Sequence, residues 1–264
     1  MKLDILNNKA HAYIIGLLQT DGNLYEHGKN KGRLSIEINT SDNNILYDIS
    51  KHFDCNFSIK DRTRDIEIKG NNYISKTSSL TIYDLDTRNE FRKYIPSGKK
   101  SLIIQKPDDI IEVDYWRGVI DGDGSLGFTK KGLPFISLVT CSEILAEQYV
   151  DFLSNIIGYK KILNRNKRDK LYNIMVTNEN AQKIISSIYY NGCISINRKN
   201  NNAQKILNWL RPDNVKKIDF ERRKWTEDED NYIIEHDLTD SVEYLKRTKK
   251  SITIRLCRLN KMRL

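Results

Sequence analysis

The sequence predicts an α+β protein: two pseudo-symmetric αββαββα halves that form a β-saddle, followed by a small all-α module. Three observations carry this prediction. The stretch "AYIIGLLQTDGNL" (12–24) returns as "YWRGVIDGDGSLG" (115–127), each an apolar run, a glycine, a second apolar run and an acid followed by glycine. The repeat sets Asp21 and Asp123 102 residues apart, the difference between their positions, and further echoes of strand and helix recur at that spacing. From about Phe220 the texture changes to dense charge. The halves are therefore expected at 1–105 and 106–212, with a linker and the helical module at 213–264.

The elements follow in order. Tyr13, Ile14, Leu17 and Leu18 recur at helical spacing, and Gly22 suits a position just past the helix end. Asp21 then falls in the last turn, where a carboxylate meets the negative end of the helix dipole. Asp-Gly is a good turn dipeptide, and one copy would need no other account. Two misplaced acids in matching contexts imply a positive partner such as a metal ion. After a polar, hairpin-like stretch, "RLSIEIN" (33–39) alternates, with Leu34, Ile36 and Ile38 on one face and Arg33, Ser35, Glu37 and Asn39 on the other. Its echo "LPFISLVT" (133–140) is apolar on both faces, which leaves its orientation open. Helices are expected at 41–53 and 142–157, basic strand–turn stretches at 56–70 and 160–177, further helices at 87–95 and 178–190, and basic tails at 97–104 and 195–207.

Composition narrows the function classes. The chain has 264 residues, 39% of them hydrophobic, which is enough for a substantial core. Lys and Arg outnumber Asp and Glu by 44 to 35, and the net charge of +9 favours an anionic partner. Cys55, Cys141, Cys193 and Cys257 are far apart and include no C-x-x-C pair, so neither a zinc site nor a disulfide framework is indicated. No long apolar segment or leader-like stretch opens the sequence. A soluble, intracellular protein with no membrane partner is expected, in the cytoplasm of a bacterial or phage-infected host or in an organelle. "DGDGSLGFTKKG" begins like a calcium loop, but Leu126 and Gly132 stand where such a loop needs Gly and Glu.

Each half offers a four-stranded antiparallel sheet with helices on one face and a polar, basic surface on the other, an arrangement such sheets tolerate. Two of these surfaces related by a pseudo-twofold axis make a curved basic saddle. A strand of about eight residues spans about 27 Å, or roughly eight base steps of duplex. A two-stranded ribbon also fits the major groove. The residues expected at that surface are Arg33, Ser35, Glu37, Asn39, Lys60, Arg62 and Arg64, with Arg165, Lys167, Arg168 and Lys170 in the second half.

"GLLQTDG" (16–22) and "GVIDGDG" (118–124) resemble the two signature helices of LAGLIDADG homing endonucleases, in the single-chain, two-motif form. "IPSGKKS" and "NRKNNNA" are also similar to family sequence, and the resemblance covers about residues 8 to 210. It implies that the helices pack side by side, with Gly16 and Gly118 permitting close approach. It implies that Asp21 and Asp123, with the carbonyls of Thr20 and Gly122, hold two or more Mg²⁺ ions near the scissile phosphates. It further implies that Lys199 and Lys100, or its neighbour Lys99, complete the catalytic sites, and that Thr40 and Cys141 lie near a water-organising position. Cys141 is a poor fit there, and Gln19 departs from the pattern where the second motif has Asp121. The expected activity is site-specific double-strand DNA cleavage leaving short staggered 3′ ends, by a monomer on a long, near-asymmetric target. The alternative is a non-cleaving nucleic-acid binder on the same fold, an intron maturase or a transcriptional regulator.

In the tail, Thr226 with Glu229 reads as a capping box. Asp240 with Glu243 suggests a second, and a third helix is expected from Thr248. Ile252, Leu256 and Leu259 would face inward, with Trp225 and Tyr232 in the core, while Lys249, Lys250, Arg255, Arg258 and Lys261 face out. The segment resembles a Myb/SANT-like or helix-turn-helix DNA-binding module, joined through "WLRPDNVKKIDF" (209–220).

Overall fold

The computed structural model describes residues 2–27, 30–68, 70–166, 168–212 and 225–262. They divide into two compact units, Met1–Arg211 and Pro212–Leu264.

In the larger unit the Asn8 side chain accepts hydrogen bonds from the N–H groups of Ala10 and His11 and so starts α1 (Lys9–Thr20). β1 (Gly22–His27) and β2 (Lys31–Asn39) follow, then a short 3-10 turn, Thr40–Asp42, and α2 (Asn44–Ser50). β3 (Phe57–Ile68) and β4 (Asn71–Ile82) form a long antiparallel ribbon, and α3 (Leu85–Arg92), capped by Asp84, closes the first repeat. The second repeat runs α4 (Glu112–Asp123), β5 (Gly124–Phe128), β6 (Pro134–Thr140), α5 (Glu143–Ile157), β7 (Tyr172–Thr177), α6 (Asn178–Ile188) and α7 (Asn197–Leu207).

The first sheet has the order β1-β2-β4-β3, the second β5-β6-β7, all antiparallel. Among the described residues the second sheet has three strands, not the four expected. In the stretch 160–171 the described residues contribute one isolated bridge, Arg165 to Tyr172, and a bond from Lys170 N–H to the carbonyl of Asn166. Its charged and polar residues give neither face of a strand an apolar row to bury, and Ile162 is exposed. Lys167 lies outside the described residues.

Register assigns the faces. Leu24, Leu34, Ile36, Leu80 and Ile82 are buried under the helices, and so are Leu126, Ile136, Leu138, Ile174 and Val176 in the second sheet. Both sets belong to one continuous core, with the rings of Trp116, Tyr149 and Phe152 packed together in its second half.

The smaller unit holds α8 (Glu227–Glu235), α9 (Leu238–Leu245) and α10 (Lys249–Met262) around Ile233, Leu245 and Ile252. Leu256, Leu259, Trp225 and Tyr232 pack partly buried against that cluster. The Thr226–Glu229 capping box is present. The second is not: Asp237 caps α9, accepting from the N–H groups of Thr239 and Asp240, so Asp240 lies one turn into the helix. Much of the expected linker lies outside the described residues. No described helix is long and apolar enough to cross a membrane.

Candidate active site

The two repeated helices pack face to face because neither carries a side chain at the crossing. A Cβ at Gly16 would stand 2.2 Å from the carbonyl oxygen of Tyr115, and one at Gly118 would stand 2.2 Å from that of Tyr13. Glycine is therefore required at both positions for the backbones to approach this closely. The C-terminal ends are equally close, since a Cβ on Gly122 would lie 1.9 Å from Thr20 Oγ1 and 3.3 Å from Asp21 Oδ2. Asp21 thus sits against the backbone of the opposite motif.

Asp21 is half-buried and Asp123 is exposed. Among the described residues neither carboxylate accepts a hydrogen bond. Burial pushes Asp21 up to about 6, and the nearby charge of Asp123 pushes the same way, against Lys199 and Lys100. Asp123 is also raised, by the desolvating protein around its inner side, with both lysines opposing. Two carboxylates held together at the negative ends of two helices form an electrostatically unfavourable arrangement that a cation relieves.

One lysine serves each helix end. Lys100 Nζ donates to the carbonyl of Leu18, 2.5 Å, and to that of Gly22. Lys199 Nζ donates to the carbonyls of Ile120, Asp121 and Gly124, at 2.6, 2.5 and 2.9 Å. Leu18 and Ile120, like Gly22 and Gly124, are 102 residues apart, so the two lysines make equivalent bonds. Lys99 is exposed and makes none of these. Burial lowers both ammonium groups, Lys100 to about 8. Each fills the last carbonyls of a helix that closes on an acid, Asp21 as the C-cap of α1 and Asp123 as the last residue of α4.

Among the described residues no group of three or more His, Cys, Asp or Glu is placed to hold a metal ion. The donors that the two motifs bring together, the carboxylates of Asp21 and Asp123, are oxygen, and the carbonyl of Gly122 lies 3.4 Å from Lys199 Nζ. That set fits Mg²⁺, which keeps waters and is commonly held by one or two carboxylates plus substrate phosphate.

The first sheet places Arg33, Ser35, Glu37 and Asn39 on its helix-free face, Arg33 opposite Tyr25 of β1 and the other three opposite Thr81, Ser79 and Thr77 of β4. Lys60, Arg62 and Arg64 lie on the same face of β3. Lys60 and Arg62 are exposed, whereas Arg64 is ion-paired with Glu37, which also accepts from Thr77. Arg33 lies over the ring of Tyr25. In the second half Arg165, Arg168 and Lys170 are exposed, with Arg165 against Tyr172 and Arg168 paired with Asp169. They belong to the 160–171 stretch and its turn, not to a fourth strand. Thr40 accepts from Ser78 Oγ, and Cys141 is a partly buried free thiol. In α10, Lys249, Lys250 and Arg258 are exposed. Arg255 is not free as expected: it is ion-paired with Asp230 at 2.5 Å and lies over Trp225, because its helix face packs on α8. The side chain of Lys261 is outside the described residues.

A buried network across the helix pair was not anticipated. Tyr13 Oη donates to Asp121 at 2.7 Å and Tyr115 Oη donates to Gln19 at 2.6 Å. Asp121 also accepts from Tyr189 Oη and the N–H of Ile196, and Gln19 donates to the carbonyls of Tyr94 and Gln105. The repeat offset pairs Tyr13 with Tyr115 and Gln19 with Asp121, and that was the available signal.

The LAGLIDADG-like domain family matches the chain twice, over residues 8–96 and 111–189. The chain belongs to the LAGLIDADG family, and the two paired helices carry its two motifs. Similar solved structures include the meganuclease I-SmaMI bound to uncleaveable DNA, 15% identical over 77% of this chain and 90% of that one, TM-score 0.48. The LAGLIDADG homing endonuclease I-LtrWI bound to target DNA is 12% identical over 75% and 88%, TM-score 0.47. Full-length DUF199/WhiA from Thermatoga maritima is 12% identical over 98% and 94%, TM-score 0.46. No match was found among curated proteins.

Proposed function

We propose that the protein is a metal-dependent, site-specific double-strand DNA endonuclease acting as a monomer. The observation that carries this reading is the convergence of Asp21 and Asp123 at the ends of two helices locked together by Gly16 and Gly118, each end held by its own lysine. Bound Mg²⁺ would activate water and stabilise the leaving oxygen of a phosphodiester. Asp21 and Asp123 would hold it, with help from the carbonyls of Thr20 and Gly122. Lys100 and Lys199 would stabilise charge at the two phosphates and keep the helix ends in place. One acid per motif gives one reaction centre per DNA strand, and cuts offset along the duplex would leave staggered ends. Lys60, Arg62 and Arg33 in the first half, with Arg165, Arg168 and Lys170 in the second, would contact the duplex. Lys249, Lys250 and Arg258 of the C-terminal unit would extend that contact.

The test is incubation with a randomised duplex library and Mg²⁺, followed by sequencing of cut ends. Cleavage at one long, asymmetric sequence with short 3′ overhangs is expected. Specific retention of a sequence that is never cut would instead identify a non-cleaving regulator or maturase.

A further inference from the structure

We propose that the second-half sheet reads thymine methyl groups, so that the target has one arm recognised mainly through polar contacts and one thymine-rich arm. The inference rests on the DNA-binding reading above and adds what that surface recognises.

The two sheets share one register. Gly22 pairs with Ile36 and Asn23 with Ser35, and 102 residues later Gly124 pairs with Leu138 and Ser125 with Ser137. The helix-free positions Asn23, Tyr25, Arg33, Ser35 and Glu37 therefore have counterparts in β5 and β6. Phe135 stands where the first half has Arg33, Val139 where it has Glu37, and Gly127 where it has Tyr25. In the third strand Met175 pairs with Ser137 as Thr81 pairs with Ser35. The face is thus Ser125, Gly127, Phe135, Ser137, Val139, Asn173, Met175 and Thr177, without an ionisable side chain.

Val139 and Met175 are 37% and 40% exposed although β-branched and thioether side chains ordinarily bury. Nothing described in the larger unit covers them. Lys161 donates to the carbonyl of Met175, so positive charge borders the apolar patch at the β7 edge. An apolar floor with a cationic border suits a major groove whose bases present methyl groups and whose backbone presents phosphates. The thymine C5-methyl is the one apolar group a base pair shows there. A glycine at 127 leaves room for a base edge where the first half carries a tyrosine ring.

The test uses the full-length protein and the target selected from a randomised library. Thymines are replaced by uracil, which removes only the methyl, in one arm and then in the other. Replacement in one arm should weaken binding about 4-fold for each buried methyl, in line with the transfer of one methylene-sized group, and replacement in the other should change little. Val139→Ala and Met175→Ala should abolish that thymine–uracil difference, while Arg62→Ala, on the first half, should keep it. If either alanine variant fails to fold, the uracil series on the unaltered protein still decides. Specific binding that is indifferent to uracil in both arms, or equally sensitive in both, overturns this proposal and leaves the endonuclease reading standing. Absence of any specific DNA binding overturns both. A free protein that sediments as a dimer and is returned to monomer by Val139→Asp assigns the face to self-association and overturns the proposal.

Discussion

Tyr13 and Asp121 lie on different signature helices and are joined by a 2.7 Å hydrogen bond buried between them. The equivalent bond in the other direction, Tyr115 to Gln19, has a neutral acceptor. The same device therefore clamps the helix pair twice, with an acid as acceptor in one case and an amide in the other. Tyr13→Phe takes one of three donors from a buried carboxyl and should cost about 2–3 kcal/mol, against about 1 kcal/mol for Tyr115→Phe. Urea unfolding of the larger unit measures both, and equal losses would show that Asp121 contributes no more than an amide does.

The glycine contacts make a harder prediction. Gly16→Ala or Gly118→Ala puts a methyl group about 2.2 Å from a backbone carbonyl oxygen, and backbone cannot rotate away as a side chain can. Separating the helices to make room would part Asp21 from Gly122. Either variant should lose more than about 3 kcal/mol, the range of severe core overpacking, and lose cleavage with it. A variant of wild-type thermal stability would mean that the helices are not held at this distance.

The acids at the site should weaken the protein. Asp21 has a folded value of about 6 against 3.8, so folding favours its protonated form. That contribution is fully present below about pH 4 and is lost as pH rises through 6. The full shift corresponds to at most about 3 kcal/mol, and water at the open site reduces the expected effect to about 1 kcal/mol. Metal-free Asp21→Asn should therefore melt higher than the unaltered protein above pH 6, with the difference vanishing towards pH 4. Mg²⁺ should raise the melting temperature of the unaltered protein and leave the variant's nearly unchanged. Double-strand cleavage should be abolished in Asp21→Asn and in Asp123→Asn alike. A variant that still cuts at the original rate sinks the two-acid mechanism.

Much of this site was legible because the repeat is. The spacing that pairs Asp21 with Asp123 also pairs Gly16 with Gly118, and the Asp-Gly pairs placed the C-terminal ends of α1 and α4 within a residue. What the sequence hid depends on approach between distant segments. Lys99 and Lys100 are adjacent, and only the fold shows that Lys100 reaches the carbonyl of Leu18. That the described residues of the second half form no fourth strand was hidden because the charges of 160–171 read equally well as a solvated strand face or as a turn. "LPFISLVT" gave no orientation because both of its faces are apolar, and pairing with β5 and β7 was needed to bury Ile136 and Leu138 and leave Val139 outside. Arg255 looked free because its partner Asp230 sits on another helix.

The exposed lysines and arginines of the sheets should make binding salt-dependent. Each phosphate neutralised lowers the slope of log K against log salt by about 0.9. Arg62→Ala should reduce the slope by about one such unit. Arg64→Ala should change it less, because Arg64 already spends its charge on Glu37. A flat dependence for the unaltered protein would rule out an extended duplex interface.

The C-terminal unit offers the last test. Lys249, Lys250 and Arg258 lie exposed on α10, while Arg255 is tied to Asp230 and Trp225. If α10 enters a major groove, the two arginines should separate in kind. Arg258→Ala should weaken DNA binding by about 1–3 kcal/mol if it meets a base and leave the unit's melting unchanged. Arg255→Ala should lower melting by up to about 2 kcal/mol, since a half-buried ion pair and a cation–aromatic contact are lost together, and should affect DNA through unfolding alone. Deleting residues from Pro212 onward removes neither acid and neither lysine of the candidate site, so the shortened chain should still cut DNA when concentrated. Its footprint should shorten at one end only, because one tail serves two sheet halves. Footprinting the full-length and shortened proteins on the same target checks this. An unchanged footprint from a stably folded truncation would assign the three helices a role other than reading DNA, and Arg258→Ala would then be silent as well.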